Sequence, residues 1–205
     1  MVLIGIIDYG AGNIRSVQNA LEFVGAKSEL VSDADRLKSY DKLLLPGVGA
    51  FGKAMEQLKS NNLDSAILEF ISKGKPFLGI CLGMQLLFDK SYEFGEHSGL
   101  GVIKGSIVEF DKSKFNEHLK VPHMGWNRAK FTKQSKIIDG LKDSAYLYFV
   151  HSYHAICDNK FALAYTDYGY EFVSAVEYEN VYGFQPHPEK SHENGLRIIK
   201  NFMEL

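Results

Sequence analysis

The sequence has few cysteines, few prolines and no long apolar run. Two cysteines in 205 residues do not make a disulfide framework, which favours a reducing compartment. Five prolines and no low-complexity run argue against a disordered tail or a flexible linker. No apolar segment reaches the roughly 20 residues of a membrane-spanning helix. The short apolar run 2–7 lacks the basic flank of a signal peptide, so we expect a cytoplasmic protein.

The chain also lacks an excess of charge of either sign. Lys and Arg total 23 and Asp and Glu total 25, for a formal net charge of −2. There is no basic excess of the kind that indicates binding to nucleic acid or to an acidic membrane surface. Hydrophobic residues make up 45% of the chain, as in globular proteins that bury a full core. Because no linker divides the chain, we expect one domain over residues 1–205.

The order of predicted elements indicates an α/β fold. In the first half, strand patterns alternate with helix patterns, which predicts a mostly parallel central sheet flanked by helices on both faces. These strands lie at 2–7, 28–31, 42–45 and 76–80, and the helices at 14–24, 51–58 and 63–73. After about residue 90, short aromatic strand patterns predict an antiparallel extension of the same sheet. They lie at 102–110, 145–150, 161–165, 172–178 and 181–185, before a final helix at 195–203.

The most informative motif is a cysteine between two glycines, in Gly79-Ile80-Cys81-Leu82-Gly83. It follows a strand pattern and opens an apolar stretch, 84–88, that we expect to be helical. This is the cysteine counterpart of the nucleophile elbow, in which glycines let strand and helix pack closely around a strained nucleophile. A helix start favours the thiolate, so the motif predicts a covalent catalyst. The alternative is a buried structural thiol.

A cysteine nucleophile needs a base, and a third group usually orients that base. Of the seven histidines, His187 is the best placed, because it follows the last strand pattern between two prolines that fix its backbone. Glu189 lies two residues further along the same segment. The order Cys81, His187, Glu189 predicts a catalytic triad. Without Cys81, the same His-Pro-Glu segment would indicate only a surface turn that leads into a helix.

The segment 79–85, Gly-Ile-Cys-Leu-Gly-Met-Gln, together with His-Pro-Glu at 187–189, resembles class I glutamine amidotransferases. These enzymes release ammonia from glutamine and pass it to a synthase. Further segments make the chain similar to the glutaminase subunits of imidazole glycerol phosphate synthase, from histidine biosynthesis. They are Asp8-Tyr9-Gly10-Ala11-Gly12-Asn13, Pro46-Gly47-Val48-Gly49, Pro122-His123-Met124-Gly125-Trp126-Asn127, Phe149-Val150-His151-Ser152-Tyr153 and His187-Pro188-Glu189-Lys190-Ser191.

The resemblance implies a role for each motif residue. Cys81 attacks the glutamine carboxamide and forms a glutamyl thioester, His187 moves the protons and Glu189 holds the imidazole. The backbone N–H groups of Leu82 and Gly49 form the oxyanion hole. Glycines in the 46–49 loop permit a peptide flip, so we hypothesise that the hole is completed only when a partner or ligand arrives.

The resemblance also implies which residues hold the substrate. Gly49, Gln85, Glu93, Ser152 and Tyr153 bind glutamine, with Glu93 pairing with the substrate ammonium group. The competing interpretation of Gln85 is a polar residue on a half-buried helix. For Glu93 it is a member of a charged loop. Neither a cofactor nor a metal is implied.

The partner implied by the resemblance is a (β/α)₈-barrel synthase subunit, which receives ammonia through a tunnel and forms a heterodimer with the glutaminase. Asn13, Met124, Trp126 and Lys190 match positions at or near that interface. Trp126 is the only tryptophan, and tryptophan is enriched in interface hot spots. The alternative for Trp126 is packing in the core.

Two residues depart from the family pattern. Pro186 stands where an aromatic residue is usual, and His154 stands where Tyr or a small residue is usual. An alternative function is therefore that of a related amidotransferase subunit that supplies ammonia for surface-sugar biosynthesis. Further alternatives are a stand-alone cysteine hydrolase and a non-catalytic regulatory subunit.

A metal site at His151 and His154 is not expected, because no carboxylate or thiolate motif accompanies them. Cys157 is expected to be a bystander.

Overall fold

The alternating apolar runs of the first half form parallel strands, as predicted. The computed structural model of the chain describes residues 2–115 and 118–205. Its strands are β1 (Leu3–Ile7), β2 (Lys27–Val31), β3 (Lys42–Gly47), β4 (Phe77–Cys81), β5 (Phe88–Ser91), β6 (His97–Ser98), β7 (Ile103–Glu109), β8 (His123–Phe131), β9 (Ser144–His151), β10 (Tyr153–Cys157), β11 (Ala162–Asp167), β12 (Glu171–Tyr178) and β13 (Val181–Phe184). Its α-helices are α1 (Ile14–Phe23), α2 (Ala34–Leu37), α3 (Phe51–Ser60), α4 (Leu63–Ser72), α5 (Leu82–Gln85) and α6 (His192–Glu204).

The strands join in one mixed sheet with the order β2-β1-β3-β4-β13-β12-β10-β7-β5-β6. From β2 to β13 every neighbouring pair is parallel. From β13 through β12 and β10 to β7 the pairs are antiparallel, and β11, β8 and β9 branch from β12 as a further antiparallel series. The predicted α/β fold, with its parallel part and antiparallel extension, is confirmed.

Apolar side chains on the two faces of the sheet form two separate cores. In β3, Leu43 and Leu45 belong to one core and Leu44 to the other, because successive strand residues point to opposite faces. Helices α3 and α4 cover the first core, and α1 and α6 cover the second. The expected helices on both faces are therefore present. Within residues 2–115 and 118–205, no helix is both long and apolar enough to span a membrane.

The helix after the cysteine is shorter than the apolar stretch 84–88 suggested. It ends after Gln85, and Phe88 already begins β5. The carbonyl oxygens that a longer helix would use are taken by a later segment. Leu100 donates its N–H to Leu86, and Val102 donates to Leu87. An apolar run fits a buried helix or a buried strand equally well, so its pattern could not reveal this ending.

Strand β8 was absent from the predicted elements. It pairs with β9 from His123↔His151 to Lys130↔Ser144 and with β11 at its far end. Most of its residues are exposed or half-buried, so it lacks the apolar run that marks the strands predicted from the sequence. The sequence indicates this segment only through its Pro-His-Met-Gly-Trp-Asn motif, and the strand carries two of the predicted interface residues, Met124 and Trp126.

Candidate active site

The carboxyl ends of three parallel strands bring the predicted catalytic segments together. Gly47, which ends β3, pairs with Cys81, which ends β4. On the other side, β13 pairs with β4 and leads directly into the segment that contains His187. Ligands bind outside the carboxyl ends of the strands in sheets of this kind. The topology therefore gathers three distant parts of the sequence at one edge.

Cys81 has the backbone conformation of a nucleophile elbow. Its φ of 55° and ψ of −113° are disfavoured for a residue with a side chain. Its neighbours explain how the fold holds this conformation. A Cβ atom at Gly83 would lie 1.9 Å from the carbonyl oxygen of Leu45, and one at Gly79 would lie 2.5 Å from that of Gly83. Only glycine allows the strand and helix to approach this closely.

His187 and Glu189 form a buried hydrogen-bonded pair. Their Nδ1 and Oε1 atoms are 2.7 Å apart, and the side chains are 2% and 1% exposed. Burial acts to lower the pKa of His187, but the neighbouring Cys81 and Glu189 side chains outweigh it and raise the pKa to about 10. The influence of the thiol comes from its proximity, since no described residue makes a hydrogen bond of ordinary geometry with Nε2 of His187. The imidazole is therefore held by Nδ1, with Nε2 left for proton transfer.

A cavity of about 390 Å³ opens beside these residues. Its walls include Cys81, Leu82 and His187. All the residues predicted to bind glutamine also line it: Gly49, Gln85, Glu93, Ser152 and Tyr153. The remaining lining residues were not predicted: Val48, Phe94, Pro122, Val150 and His151. The geometry thus brings the candidate nucleophile, the base and the substrate residues around one space.

Gln185 is a polar group of this site that the sequence interpretation missed. Its Nε2 donates to the Cys81 sulfur at 3.8 Å, and its Oε1 accepts from Gln85 Nε2 at 2.9 Å. Gln85 also donates to the carbonyl oxygen of Tyr153 at 3.2 Å and is only 6% exposed. The available signal was its place as a polar residue directly after the apolar strand β13 and two residues before His187. Gln85 is therefore buried, and its side-chain nitrogen is bound by residues around the cavity.

Glu93 reaches the cavity while it holds the start of a neighbouring helix. Its Oε2 accepts a hydrogen bond of 2.6 Å from the N–H of Phe51, the first residue of α3. A carboxylate is favoured there by the helix dipole. The carboxylate is therefore fixed at the wall of the cavity, although Glu93 itself lies in the charged loop between β5 and β6.

Three of the four predicted interface residues lie around the His187 segment. Met124 and Trp126 project from β8 with 62% and 46% of their surface exposed, so Trp126 is not a core residue. The Trp126 ring stacks on the ring of His192 at 4.9 Å with an interplanar angle of 5°. Lys190 is exposed next to Glu189. Met124 and Trp126 thus lie on the same face of β8, and Trp126 contacts the first residue of α6, two residues after Lys190.

Asn13 is the fourth predicted interface residue. It immediately precedes α1, and its Oδ1 accepts a hydrogen bond of 3.0 Å from the hydroxyl group of Ser16. Helix α1 contacts the turn Pro188–Lys190. Asn13 is half-buried and therefore offers less surface than the other three.

The sequence profile of the class-I glutamine amidotransferases matches residues 5–205. The chain belongs to this family. The amidotransferase is 59% identical over 201 residues to "Imidazole glycerol phosphate synthase subunit HisH" of Sulfurimonas denitrificans, covering 98% of this chain and 97% of the relative. It is 56% identical over 204 residues to the protein of the same name from Wolinella succinogenes, with 99% and 100% coverage.

Solved structures share the fold at low sequence identity. A structure described as PurLQS from Thermotoga maritima has a TM-score of 0.77 at 20% identity and covers 99% of the amidotransferase and 98% of its own chain. Another, described as a glutamine amidotransferase, has a TM-score of 0.75 at 17% identity, with 98% and 99% coverage. At these identities the likeness is one of fold alone.

Proposed function

We propose that the chain is the glutaminase subunit of imidazole glycerol phosphate synthase. It hydrolyses L-glutamine to glutamate and ammonia and delivers the ammonia to a (β/α)₈-barrel synthase subunit, which forms imidazole glycerol phosphate and AICAR in histidine biosynthesis. Residues 1–205 act as one domain in a cytoplasmic heterodimer. The observation that carries the proposal is the cavity that Cys81, at its strained turn, shares with His187, whose imidazole is paired with Glu189.

The first half of the reaction forms the thioester. The proton of the Cys81 thiol passes to His187, and the sulfur attacks the carboxamide carbon of glutamine. When the tetrahedral intermediate collapses, the C–N bond breaks and Nε2 of His187 gives its proton to the departing nitrogen, which leaves as ammonia. Glu189 favours the charged imidazole throughout. Before glutamine is attacked, the effect of burial on the pKa of His187 is outweighed by Cys81 and Glu189, which raise it to about 10, so the imidazole is protonated at neutral pH.

The second half releases glutamate. His187 takes a proton from water, and the resulting hydroxide adds to the thioester carbon. Collapse then breaks the C–S bond and restores the sulfur of Cys81 beside the protonated imidazole. The same two side chains therefore serve both halves of the cycle, with water replacing ammonia as the group that exchanges a proton.

The oxyanion in both halves is stabilised by two backbone N–H groups, of Leu82 and Gly49. Leu82 begins α5, where the first N–H groups have no partner within the helix. Gly49 has a φ of +99°, and a Cβ placed on it would contact nothing within 4 Å. This freedom supports the hypothesis that the Val48–Gly49 peptide turns toward the substrate only when the partner or its ligand is bound. Loss of one such donor typically lowers kcat by a factor of about 10²–10³.

The residues proposed to bind glutamine differ from those proposed to bind the barrel synthase. Glu93 pairs with the substrate ammonium group, and Gln85, Ser152 and Tyr153 complete the wall. The barrel synthase docks on Asn13, Met124, Trp126 and Lys190. Since Lys190 adjoins Glu189, a charge contact from the partner would act directly on the segment that carries the base.

The test is glutamate release by the purified chain with candidate barrel synthases, with and without the nucleotide substrate of the imidazole pathway. We expect little turnover by the chain alone and stimulation by the histidine-pathway synthase with its nucleotide. High turnover without any synthase would favour a stand-alone hydrolase. Stimulation by only a surface-sugar synthase would replace the pathway assignment and leave the glutaminase assignment in place.

A further inference from the structure

Two buried histidines beside the glutamine cavity have no part in the mechanism above. His123 and His151 are register partners on β8 and β9, and their Nδ1 and Nε2 atoms are 3.0 Å apart. They are 2% and 6% exposed. His151 also lines the cavity, whereas His123 lies one strand further away. Burying two contacting imidazoles is costly unless every ring nitrogen has a complementary partner.

The two ends of the hydrogen-bonded chain fix its direction. At one end, Nδ1 of His151 lies 2.8 Å from the carbonyl oxygen of Tyr153, which can only accept. His151 therefore carries its proton on Nδ1, and its Nε2 accepts from Nδ1 of His123. At the other end, Nε2 of His123 accepts from the amide nitrogen of Asn127 at 3.2 Å. Each neutral ring thus donates once and accepts once.

The orientation of the Asn127 amide is itself determined by its neighbours. Its nitrogen also donates to the carbonyl oxygen of Asp167 at 2.8 Å, and its oxygen accepts from the N–H of Arg128 at 2.7 Å. A rotated amide would lose both contacts. The direction Asn127 to His123 to His151 to the Tyr153 carbonyl oxygen therefore follows from these groups.

Both rings are neutral in this arrangement. Burial lowers the pKa of His123 to about 4. Burial, followed by the proximity of His123, lowers the pKa of His151 well below its usual value. A second proton on either ring would remove an acceptor that the chain of hydrogen bonds requires. The pair is therefore a fixed structural connection and not a proton donor to the substrate.

The Tyr153 carbonyl oxygen is the point where this chain meets the substrate residues. It accepts from His151 and also from Gln85 Nε2. His151, Ser152 and Tyr153 form the junction between β9 and β10, and all three line the cavity. Fixing this one oxygen fixes the part of the wall that presents Ser152 and Tyr153 to glutamine.

We propose that His123 is a positioning residue for glutamine binding: through His151, it holds the Tyr153 carbonyl group and the adjoining wall of the cavity in place. The proposal rests on the glutaminase function proposed above. Because Asn127 follows Trp126 on β8, the same connection links the surface proposed for the partner to the substrate wall. Loss of the His123 donor would leave Nε2 of His151 buried and unpaired, and it would weaken glutamine binding more than catalysis.

The kinetic test compares variants in the complex with the barrel synthase. His123→Leu is expected to raise the KM for glutamine about tenfold and to change kcat less than about threefold. His123→Asn places an amide nitrogen near the position of Nδ1 and is expected to restore most of the affinity. His154→Leu is the matched control, because His154 is buried in the same aromatic cluster but bonds to Tyr170 and Ala155 outside the chain of hydrogen bonds. It should leave KM unchanged.

An unchanged KM for glutamine in His123→Leu would overturn the proposal. An equal rise of KM in His154→Leu would also overturn it, because it would indicate a non-specific disturbance of the buried aromatic cluster. If His123→Leu does not fold, His123→Asn is compared with His123→Gln, whose amide lies near Nε2 and cannot supply the lost donor. Equal KM values for these two would also overturn it. A wild-type complex that does not hydrolyse glutamine would instead contradict the proposed function.

A second measurement does not depend on activity. Nitrogen-15 NMR of the histidine side chains in the isolated chain reports which ring nitrogen carries the proton. Both His123 and His151 are expected to be protonated on Nδ1. Protonation on Nε2 in either ring would contradict the direction of the hydrogen bonds on which the proposal stands.

Discussion

The hydroxyl group of Ser191 donates a hydrogen bond of 2.6 Å to the carbonyl oxygen of His187. The same hydroxyl oxygen accepts from the N–H of Tyr148 at 2.9 Å, and the Tyr148 carbonyl oxygen accepts from the N–H of His187 at 2.8 Å. These contacts form a closed ring that ties the backbone of the proposed base to β9. The position of the imidazole therefore depends on a serine that does not line the cavity.

We expect Ser191→Ala to lower kcat for glutamine about tenfold with little change in KM. The substitution leaves the Tyr148 N–H and part of the His187 carbonyl capacity unsatisfied, and small displacements of a catalytic group are costly. Steady-state kinetics in the complex measure both constants. Ser174→Ala is the control, since Ser174 is equally buried and its hydroxyl group bonds to Thr166. A loss of kcat as large in the control would argue against a positioning role.

Replacing the proposed nucleophile separates glutamine use from synthesis. Cys81→Ala is expected to abolish glutamine-dependent product formation while the partner still uses added ammonia. Cys157→Ala is the matched control, because burial raises the pKa of the Cys157 thiol to about 11 and keeps it protonated. Product formation from glutamine and from ammonia would be assayed side by side. Retained glutamine turnover in Cys81→Ala would refute the assignment.

The folded state binds a proton at His187 that the unfolded chain releases near neutral pH. The folded pKa is about 10, and the unfolded pKa is about 6.5. The contribution of His187 to the free energy of unfolding is therefore fully present below pH 6.5 and is lost as pH rises through 10. Denaturant unfolding at pH 7 and pH 10 should show a larger decline in the wild type than in His187→Gln. Parallel declines would mean that the imidazole is not protonated in the folded protein.

Truncating the exposed indole should weaken the complex with the barrel synthase. Trp126→Ala is expected to raise the dissociation constant roughly 30-fold, the effect of losing an interface hot spot of about 2 kcal/mol. Leu68→Ala is the control, because Leu68 is 41% exposed on α4, which packs on the other face of the sheet. Isothermal titration calorimetry measures both constants. Equal affinities for wild type and Trp126→Ala would remove Trp126 from the proposed interface.

The sequence was sufficient to predict those elements of the fold that are encoded by local patterns. Apolar runs revealed β1, β3 and β4, and two glycines around Cys81 revealed the turn between strand and helix. Strand β8 was missed because its residues are mostly exposed and lack an apolar run. The end of α5 was missed because hydrogen bonds from the segment beginning at Leu100 determine it.

For the candidate site, the sequence indicated which residues line the cavity more readily than it indicated which atoms they contact. Gln85 and Glu93, which were predicted to bind glutamine, both line the cavity. The hydrogen bonds from Gln185 to Cys81 and from His123 to His151 join residues 104 and 28 positions apart. No local spacing encodes such contacts, since they exist only once the sheet has formed.

The exposure of Trp126 at the proposed interface also has a practical consequence. As the only tryptophan, Trp126 is responsible for most of the fluorescence excited at the red edge of the protein absorption band. Its indole lies half in solvent at the surface proposed for the partner. Exclusion of water there would shift its emission to the blue. Association could thus be followed in real time with unlabelled protein, and every variant that retains Trp126 would carry the same reporter.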